Sequence, residues 1–229
     1  MIEQADIVAP APVQRLAEIL RRPRTVPMLT LPPLWHWLYC LGDSRPAGSV
    51  LIGGEVSLQR PIELFAALTK QTERCSDSAG EVKMRHVWRV GEAQVATETE
   101  RWGAPRSGKP AGGLSAAASC ARVITSDEVM RFAAVTYDVD PRYFDRDWAG
   151  APEVRRWAPT RLVALLLLEL LHREQPASQV RRFSFRLLQP AYEDEPLTLA
   201  FAAEGLRARL QACAADGSAV MCAAADTVL

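Results

Sequence analysis

The sequence lacks an excess of charge of either sign. Its 229 residues contain 27 Lys and Arg and 27 Asp and Glu, so the formal net charge at pH 7 is zero. A protein that reads nucleic acid normally shows a basic excess or a basic stripe, but the arginines here are scattered singly or in pairs. We therefore expect no nucleic-acid partner, and recognition of anionic groups is left to individual arginines.

Long apolar runs are missing as well. The longest run, residues 162–168, is too short to cross a bilayer and is followed by polar residues. The first residues show no basic segment followed by an apolar stretch, which is the pattern of a secretory leader. We expect no membrane partner and a cytoplasmic location.

Cysteine and histidine are few and widely spaced. The five cysteines form no CxxC pair, which argues against a disulfide framework or a zinc module, and the three histidines show no HxxH or HExxH spacing. The GxxxxGK[ST] and GxSxG motifs are also missing, so we expect no dinucleotide cofactor and no serine nucleophile. The sequence predicts neither a metal nor a cofactor.

The composition is that of an ordinary globular protein, with 48% hydrophobic and 24% charged residues. In the first half, helical spacing of apolar residues predicts a helix over 11–22. Residues 31–41, dense in aromatics, suit a buried hinge or a pocket wall. Alternating and β-branched runs then predict an antiparallel sheet, with strands at 54–58, 64–74, 82–90 and 94–100.

The second half repeats this order after a Gly, Pro, Ala and Ser-rich stretch, 104–118, which we interpret as a linker. Thr125 and Glu128 fit a capping box at the start of a helix over 126–136. A second helix, 161–174, is apolar nearly all round and is expected inside a sheet. The predicted strands of that sheet are 182–188, 197–203, 206–214 and 219–225. The expected architecture is α+β, with halves 1–103 and 119–229 that each wrap an antiparallel sheet around a central helix.

One stretch, residues 132–145, carries a recognisable motif. It resembles the D-x-N-P-x-H-x-D element of the (R)-specific enoyl-thioester hydratases and related MaoC-like dehydratases, which follows a short helix. Asp138, Pro141 and Asp145 match this element, whereas Asp140 stands where the family has Asn and Tyr143 stands where it has the catalytic His.

A wider resemblance covers most of the chain. The phrases LPPLWHWLY at 31–39 and RFSFRxLxP at 182–190, with the Gly53–Gly54 pair and the helix at 165–176, look like the type 2 hydroxyacyl-thioester dehydratases. That group includes itaconyl-CoA and mesaconyl-C4-CoA hydratases and has a double hot-dog fold. The resemblance implies a lyase that adds or removes water on an enoyl- or 3-hydroxyacyl thioester of coenzyme A or of a carrier protein. A homodimer is optional, because a double hot-dog already pairs its halves within one chain.

The resemblance also assigns roles to residues. In the family, Asp and His act through one water, and backbone amides at the start of the central helix hold the thioester oxygen. It therefore implies that Asp138 and Tyr143 are catalytic. Candidate substrate-binding residues are Thr160, Arg161, Arg142, His36 and Trp35.

Two departures bear on this mechanism. A Tyr phenol has a pKa near 10 and a His imidazole near 6.5, so Tyr143 is a poor base at neutral pH. Pro159, Thr160 and Arg161 replace the HGP of the family at the start of the helix. Three hypotheses stay open: a hydratase that uses Asp138, an enzyme with altered chemistry on a related substrate, and a non-catalytic homologue that binds a ligand or a partner.

Simpler interpretations exist for the same residues. The aspartates that flank Pro141 also fit an ordinary acidic turn, and Tyr143 also fits a space-filling role. A lone His36 among aromatics is typical of a packed residue. His86 on a predicted strand and His172 at a helix C-terminus, where a cation is favoured, need no catalytic explanation.

Overall fold

The computed structural model describes residues 1–22, 28–41, 45–46, 48–78, 80–104, 114–145 and 156–228. Ten strands dominate it: β1 Ile2–Ile7, β2 Val50–Leu58, β3 Ala67–Ser78, β4 Glu81–Val90, β5 Ala93–Gly103, β6 Ala118–Val123, β7 Gln179–Leu187, β8 Pro196–Glu204, β9 Arg207–Cys213 and β10 Ala219–Val228. Four helices accompany them: α1 Pro10–Ile19, α2 Ser126–Thr136, α3 Pro141–Phe144 and α4 Thr160–Glu174.

All ten strands belong to one antiparallel sheet, in the order β1-β3-β4-β5-β2-β7-β10-β9-β8-β6. The strands of each predicted half are neighbours, and the two groups meet where β2 pairs with β7, with Gly54 opposite Phe185. The α+β class is therefore confirmed, and the two expected antiparallel sheets are joined edge to edge into a single sheet.

Helix α4 is the core of the second half. Ten of its fifteen residues are buried, and it packs against β8, β9 and β10, as the nearly continuous apolar pattern predicts. In the first half the corresponding place inside the sheet is taken by a four-residue 3-10 helix, Trp35–Leu38, which is fully buried. Its His36 ring lies 4.8 Å from the Trp88 ring on β4. Residues 34–40 are buried, and the segment is a wall, which is one of the two alternatives expected for 31–41.

The local predictions hold where capping or apolar periodicity is strong. The capping box of Thr125 and Glu128 is present, and α2 spans 126–136 as predicted. Strands β1 and β6 were missed, because both lie at the edges of the sheet and are mostly exposed, so neither shows an apolar alternation.

The predicted linker, 104–118, falls largely outside the described residues, since 105–113 are not among them. Strand β5 ends at Gly103 and β6 begins at Ala118. The division into halves 1–103 and 119–229 stays a prediction. Among the described segments, no helix has the length and hydropathy needed to span a bilayer.

Candidate active site

A cavity of about 100 Å³ lies between the inner face of the first-half sheet and the start of α4. The segment that follows α2 closes one side of it. Aromatic rings of Trp37, Trp88 and Trp102 contribute to its wall. Six charged side chains also face it, namely Arg45, Lys70, Glu98, Glu100, Asp138 and Arg161.

Strand alternation aims most of these charges inward. On β5 the side chains of Glu98, Glu100 and Trp102 point into the cavity, while the intervening Thr and Arg residues face outward. On β4, His86 lies directly opposite Glu98. On β3, Lys70 lies opposite Trp88. Three adjacent strands thus place a polar layer inside the fold, where apolar residues are usual.

Glu100 is the centre of this layer. Its carboxylate accepts hydrogen bonds from His86 Nε2 at 3.1 Å, from Trp102 Nε1 at 2.9 Å and from the Arg161 guanidinium. Thr72 Oγ1 lies 2.8 Å from the other nitrogen of His86. Although burial opposes ionisation, Arg161 and His86 hold the pKa of Glu100 far below its ordinary value of 4.5. Glu100 in turn raises the pKa of Arg161 against the effect of its own burial.

Glu98 forms a second buried group with the 3-10 helix. It accepts a hydrogen bond from Trp37 Nε1 at 2.7 Å, and its Oε2 lies 3.4 Å from His36 Nε2. Burial opposes ionisation here too, but the neighbouring His36 leaves the pKa of Glu98 lowered. The guanidinium of Arg161 stacks over Trp37, with 5.4 Å between Cζ and the ring centroid. These contacts fix both glutamates as anions.

Lys70 is the remaining buried cation of the wall. Its Nζ donates to the Cys40 carbonyl at 2.8 Å and lies 5.4 Å from the Trp88 ring centroid. Burial, together with the nearby positive charge of Arg161, lowers the pKa of Lys70. No three His, Cys, Asp or Glu side chains in the described part of the chain are grouped in a way that suits a metal ion.

Asp138 reaches the cavity because of how α2 ends. Tyr137 adopts the left-handed conformation, with φ of 51°, and the Asp138 amide then donates to the Ala133 carbonyl at 2.9 Å. The Asp138 carboxylate Oδ1 lies 3.2 Å from Arg45 Nη1. Burial raises the pKa of Asp138, with help from Asp140 and against the opposing charges of Arg161 and Arg45. Among the three carboxylates of the wall, Asp138 is thus the one whose pKa is raised rather than lowered.

Of the residues singled out from the sequence, Asp138 and Arg161 line the cavity, and the others do not. Trp35 and His36 are buried in the 3-10 helix behind the wall. Thr160 is buried at the first position of α4. The side-chain ion pair that Asp138 forms in the described residues is with Arg45, at 3.2 Å.

Arg142 and Tyr143 lie in the short helix α3. Asp140 caps this helix by accepting from the Arg142 amide at 3.0 Å, and it also binds the Arg142 guanidinium, with Nε at 2.8 Å. The same guanidinium donates to the Ser49 carbonyl and stacks on Trp157. Tyr143 is buried, and this burial with the negative charge of Asp138 raises its pKa well above 10.

Five polar wall residues were not identified from the sequence as parts of a site: Arg45, Lys70, His86, Glu98 and Glu100. His86 was placed on its strand but was given no part in a site. A signal was present, because Met84, His86 and Trp88 alternate on β4 while Ala96, Glu98, Glu100 and Trp102 alternate on β5. Charged residues that share a strand face with tryptophan are unusual on a solvated surface.

Comparison with solved structures identifies the fold. HtdX of Mycobacterium tuberculosis superposes with a TM-score of 0.75 at 18% identity, over 98% of this chain and 99% of that chain. A MaoC-like dehydratase of Phytophthora capsici has a TM-score of 0.79 at 11% identity, over 99% and 95%. The peroxisomal multifunctional enzyme type 2 of Drosophila melanogaster has a TM-score of 0.77 at 11% identity, over 99% of this chain and 48% of that chain.

No protein-family model matches the sequence, and no curated protein is matched by it. At identities of 11–18% the structural likeness establishes the fold and leaves the chemistry to the residues. The chain has the hot-dog fold of the MaoC-like dehydratases along nearly its whole length.

Proposed function

We propose that the protein belongs to the MaoC-like dehydratases and adds water reversibly to an acyl thioester. The substrate is an enoyl- or 3-hydroxyacyl group carried by coenzyme A or by a carrier protein. The observation that carries this proposal is the position of the Asp138 carboxylate, which faces the same cavity as Arg161 at the start of α4. The near end-to-end match to a MaoC-like dehydratase supports it, as does the partial D-x-N-P-x-H-x-D element.

Asp138 is the proposed proton-transfer group. In hydration, its carboxylate accepts a proton from water while the water oxygen bonds to the β-carbon, and the carboxyl then returns a proton to the α-carbon. Burial raises the pKa of Asp138 toward the working pH, which makes a carboxylate a better base. Arg45 Nη1 donates to one oxygen of this carboxylate at 3.2 Å.

The start of α4 is the proposed site for the thioester oxygen. The amides of Leu162 and Val163 donate to the Pro159 carbonyl at 2.9 and 3.2 Å, which leaves the amides of Thr160 and Arg161 for a ligand. A helix N-terminus favours the negative charge that develops on this oxygen. The guanidinium of Arg161 is already held by Glu100, so this residue contributes through its backbone.

The other residues singled out from the sequence have supporting roles in this proposal. Tyr143 stays a neutral hydroxyl because its pKa is well above 10, so it does not act as a base and supports the site from outside the cavity lining. Arg142 is engaged by Asp140 and shapes α3. Trp35 and His36 support the cavity wall from behind.

The test is turnover of a panel of enoyl- and 3-hydroxyacyl thioesters of coenzyme A and of a carrier protein, followed by mass. We expect Asp138→Asn to lower kcat by about 100-fold or more, the usual effect of losing a general base. The control is Asp127→Asn, the same change on a carboxylate that is 74% exposed on α2, which should turn over normally. Equal turnover in the two variants removes Asp138 from the mechanism.

A second candidate is a non-catalytic hot-dog protein that binds a ligand. It is favoured by the size of the cavity, about 100 Å³, which is below the 300–1,000 Å³ typical of small-molecule sites. Its distinguishing result is saturable thioester binding with no conversion of any member of the panel.

A further inference from the structure

The outer face of the sheet, turned away from α4, carries an open cleft of about 990 Å³. The cleft crosses the join between the halves and is lined by residues of β2, β4, β5, β7, β8, β9 and β10, together with Leu114 and Ser115. It is separate from the cavity, because none of the described residues lines both. On β5, for example, Arg101 faces the cleft and Glu100 faces the cavity.

Three cations form a row across this cleft. Lys83 on β4 lies directly opposite Arg101 on β5, Arg101 lies opposite Gly53 on β2, and Gly53 lies opposite Arg186 on β7. All three cationic side chains are exposed. Neighbouring strands lie about 4.8 Å apart, so the row spans about 14 Å of backbone.

Gly53 lies between the two arginines in the sheet and leaves room for the Arg101 side chain. A Cβ atom at this position would lie 2.8 Å from Arg101 Nη2 and 2.8 Å from the Phe185 carbonyl oxygen. The Arg101 guanidinium therefore lies over β2, in space that a side chain at position 53 would occupy. Like charges directly opposite each other destabilise a sheet. The cationic row therefore lowers the stability of the fold, and the fold does not need these cations in order to form.

No carboxylate in the described part of the chain forms an ion pair with Lys83, Arg101 or Arg186. The two acidic residues of the cleft have other partners, since Glu55 binds Arg182 at 2.6 Å and Glu204 binds Arg209. The stretch 105–113 contains Arg106 and Lys109 and no acidic residue. In the described residues, no acidic side chain therefore neutralises the positive charge of the row.

Neutral donors complete the lining. The cleft also contains the hydroxyl-bearing residues Thr99, Ser115 and Ser184. Guanidinium groups bind phosphate oxygens in pairs, and hydroxyls add further donors. A volume near 1,000 Å³ suits a ligand of nucleotide size.

We propose that this cleft binds the phosphate groups of a nucleotide through Lys83, Arg101 and Arg186. A free nucleotide and the nucleotide end of coenzyme A share this chemistry. Binding here does not depend on the hydration reaction, because neither Asp138 nor the cavity takes part in it.

Calorimetric titration of the full chain with pyrophosphate, ADP and coenzyme A tests the proposal. We expect saturable binding of pyrophosphate at one site, weakened by salt. The double variant Arg101→Gln, Arg186→Gln should lower the affinity by at least about tenfold, since two charge-assisted contacts are lost. Arg89→Gln on the same strand as Lys83 is the matched control and should bind like the original chain.

The two sources are distinguished by comparing the ligands. Equal affinity for ADP and coenzyme A indicates a nucleotide site, and tighter binding of coenzyme A indicates a site for the thioester carrier. Absence of saturable binding of pyrophosphate and ADP at low salt overturns the proposal, and so does an unchanged affinity in the double variant.

Lys83→Glu gives an independent check that does not rely on removing the arginines. It should weaken pyrophosphate binding while the protein stays folded, since it creates an opposite-charge pair with Arg101. Unchanged pyrophosphate affinity in this variant contradicts the proposal. Sedimentation shows whether the chain self-associates. A self-associated form in which pyrophosphate does not reach Arg101 also contradicts the proposal.

Discussion

Arg161 on α4 donates a hydrogen bond to Glu100 on β5, and this pair connects the central helix of the second half to the sheet of the first half. Both side chains lie in the wall of the cavity. A buried carboxylate that loses its cation is left uncompensated, and the usual cost is about 3–5 kcal/mol. Arg161 and Glu100 therefore contribute both to the stability of the fold and to the shape of the site.

Arg161→Met tests this dependence. We expect the free energy of unfolding to fall by about 3 kcal/mol or more, because Glu100 keeps its hydrogen bonds from His86 and Trp102 and loses its cation. Adding Glu100→Gln removes the uncompensated charge, so the double variant should lose less than the sum of the two single losses. Urea unfolding of the four proteins measures this, and simple additivity would refute the coupling.

Acid should weaken the fold through Glu98 and Glu100. Both pKa values are lowered from 4.5 in the folded state, so the stability they contribute is complete above about pH 4.5 and is lost as the pH falls below it. Asp138 acts in the opposite direction, because its pKa is raised. Urea unfolding between about pH 6 and pH 3 should show the loss, with a smaller slope in Glu100→Gln; equal slopes would argue against it.

The sequence predicts well those features that depend on neighbouring residues. The capping box of Thr125 and Glu128 fixes the start of α2 locally. The apolar run of α4 is stable only when it is buried. The inward face of β5 is different. Thr97 and Thr99 alternate with Glu98 and Glu100, so both faces of the strand are polar and hydrophobicity does not select one.

The candidate site shows the same limit. The spacing of Asp138 and Tyr143 within the motif is visible in the sequence, but the direction of each side chain depends on the left-handed turn at Tyr137 and on the cap that Asp140 gives α3. The partners of Asp138 come from elsewhere in the chain: Arg45 precedes β2, and Arg161 begins α4. Contacts at such separations follow from the sheet topology, which local patterns do not specify.

Arg45→Met should change how turnover depends on pH. Arg45 opposes the effect of burial on the pKa of Asp138, so its removal raises that pKa further. If Asp138 acts as a base, the acid limb of the kcat/KM profile shifts to higher pH. Arg131→Met, which removes an arginine from the exposed face of α2, is the control. An acid limb that does not shift in Arg45→Met would show that Asp138 is not the group that titrates there.

Tyr143→Phe distinguishes the two sequence candidates for catalysis. Since the pKa of Tyr143 lies well above 10 and the residue does not line the cavity, we expect kcat to fall by less than about tenfold, against about 100-fold or more for Asp138→Asn. Steady-state kinetics on the best thioester of the panel measures both variants. A loss in Tyr143→Phe as large as in Asp138→Asn would make the phenol a proton donor in the reaction.

Lys83→Glu should stabilise the protein. Lys83 lies directly opposite Arg101, and replacing a like-charge pair by an opposite-charge pair across two strands is worth about 0.2–1 kcal/mol. Lys83→Gln removes the repulsion without adding an attraction, so its gain should be intermediate. Thermal unfolding at low salt measures the series, and the gain should shrink as salt is added. A melting temperature that falls in both variants would mean that Lys83 stabilises the fold, and that the cationic row has no cost for a ligand to offset.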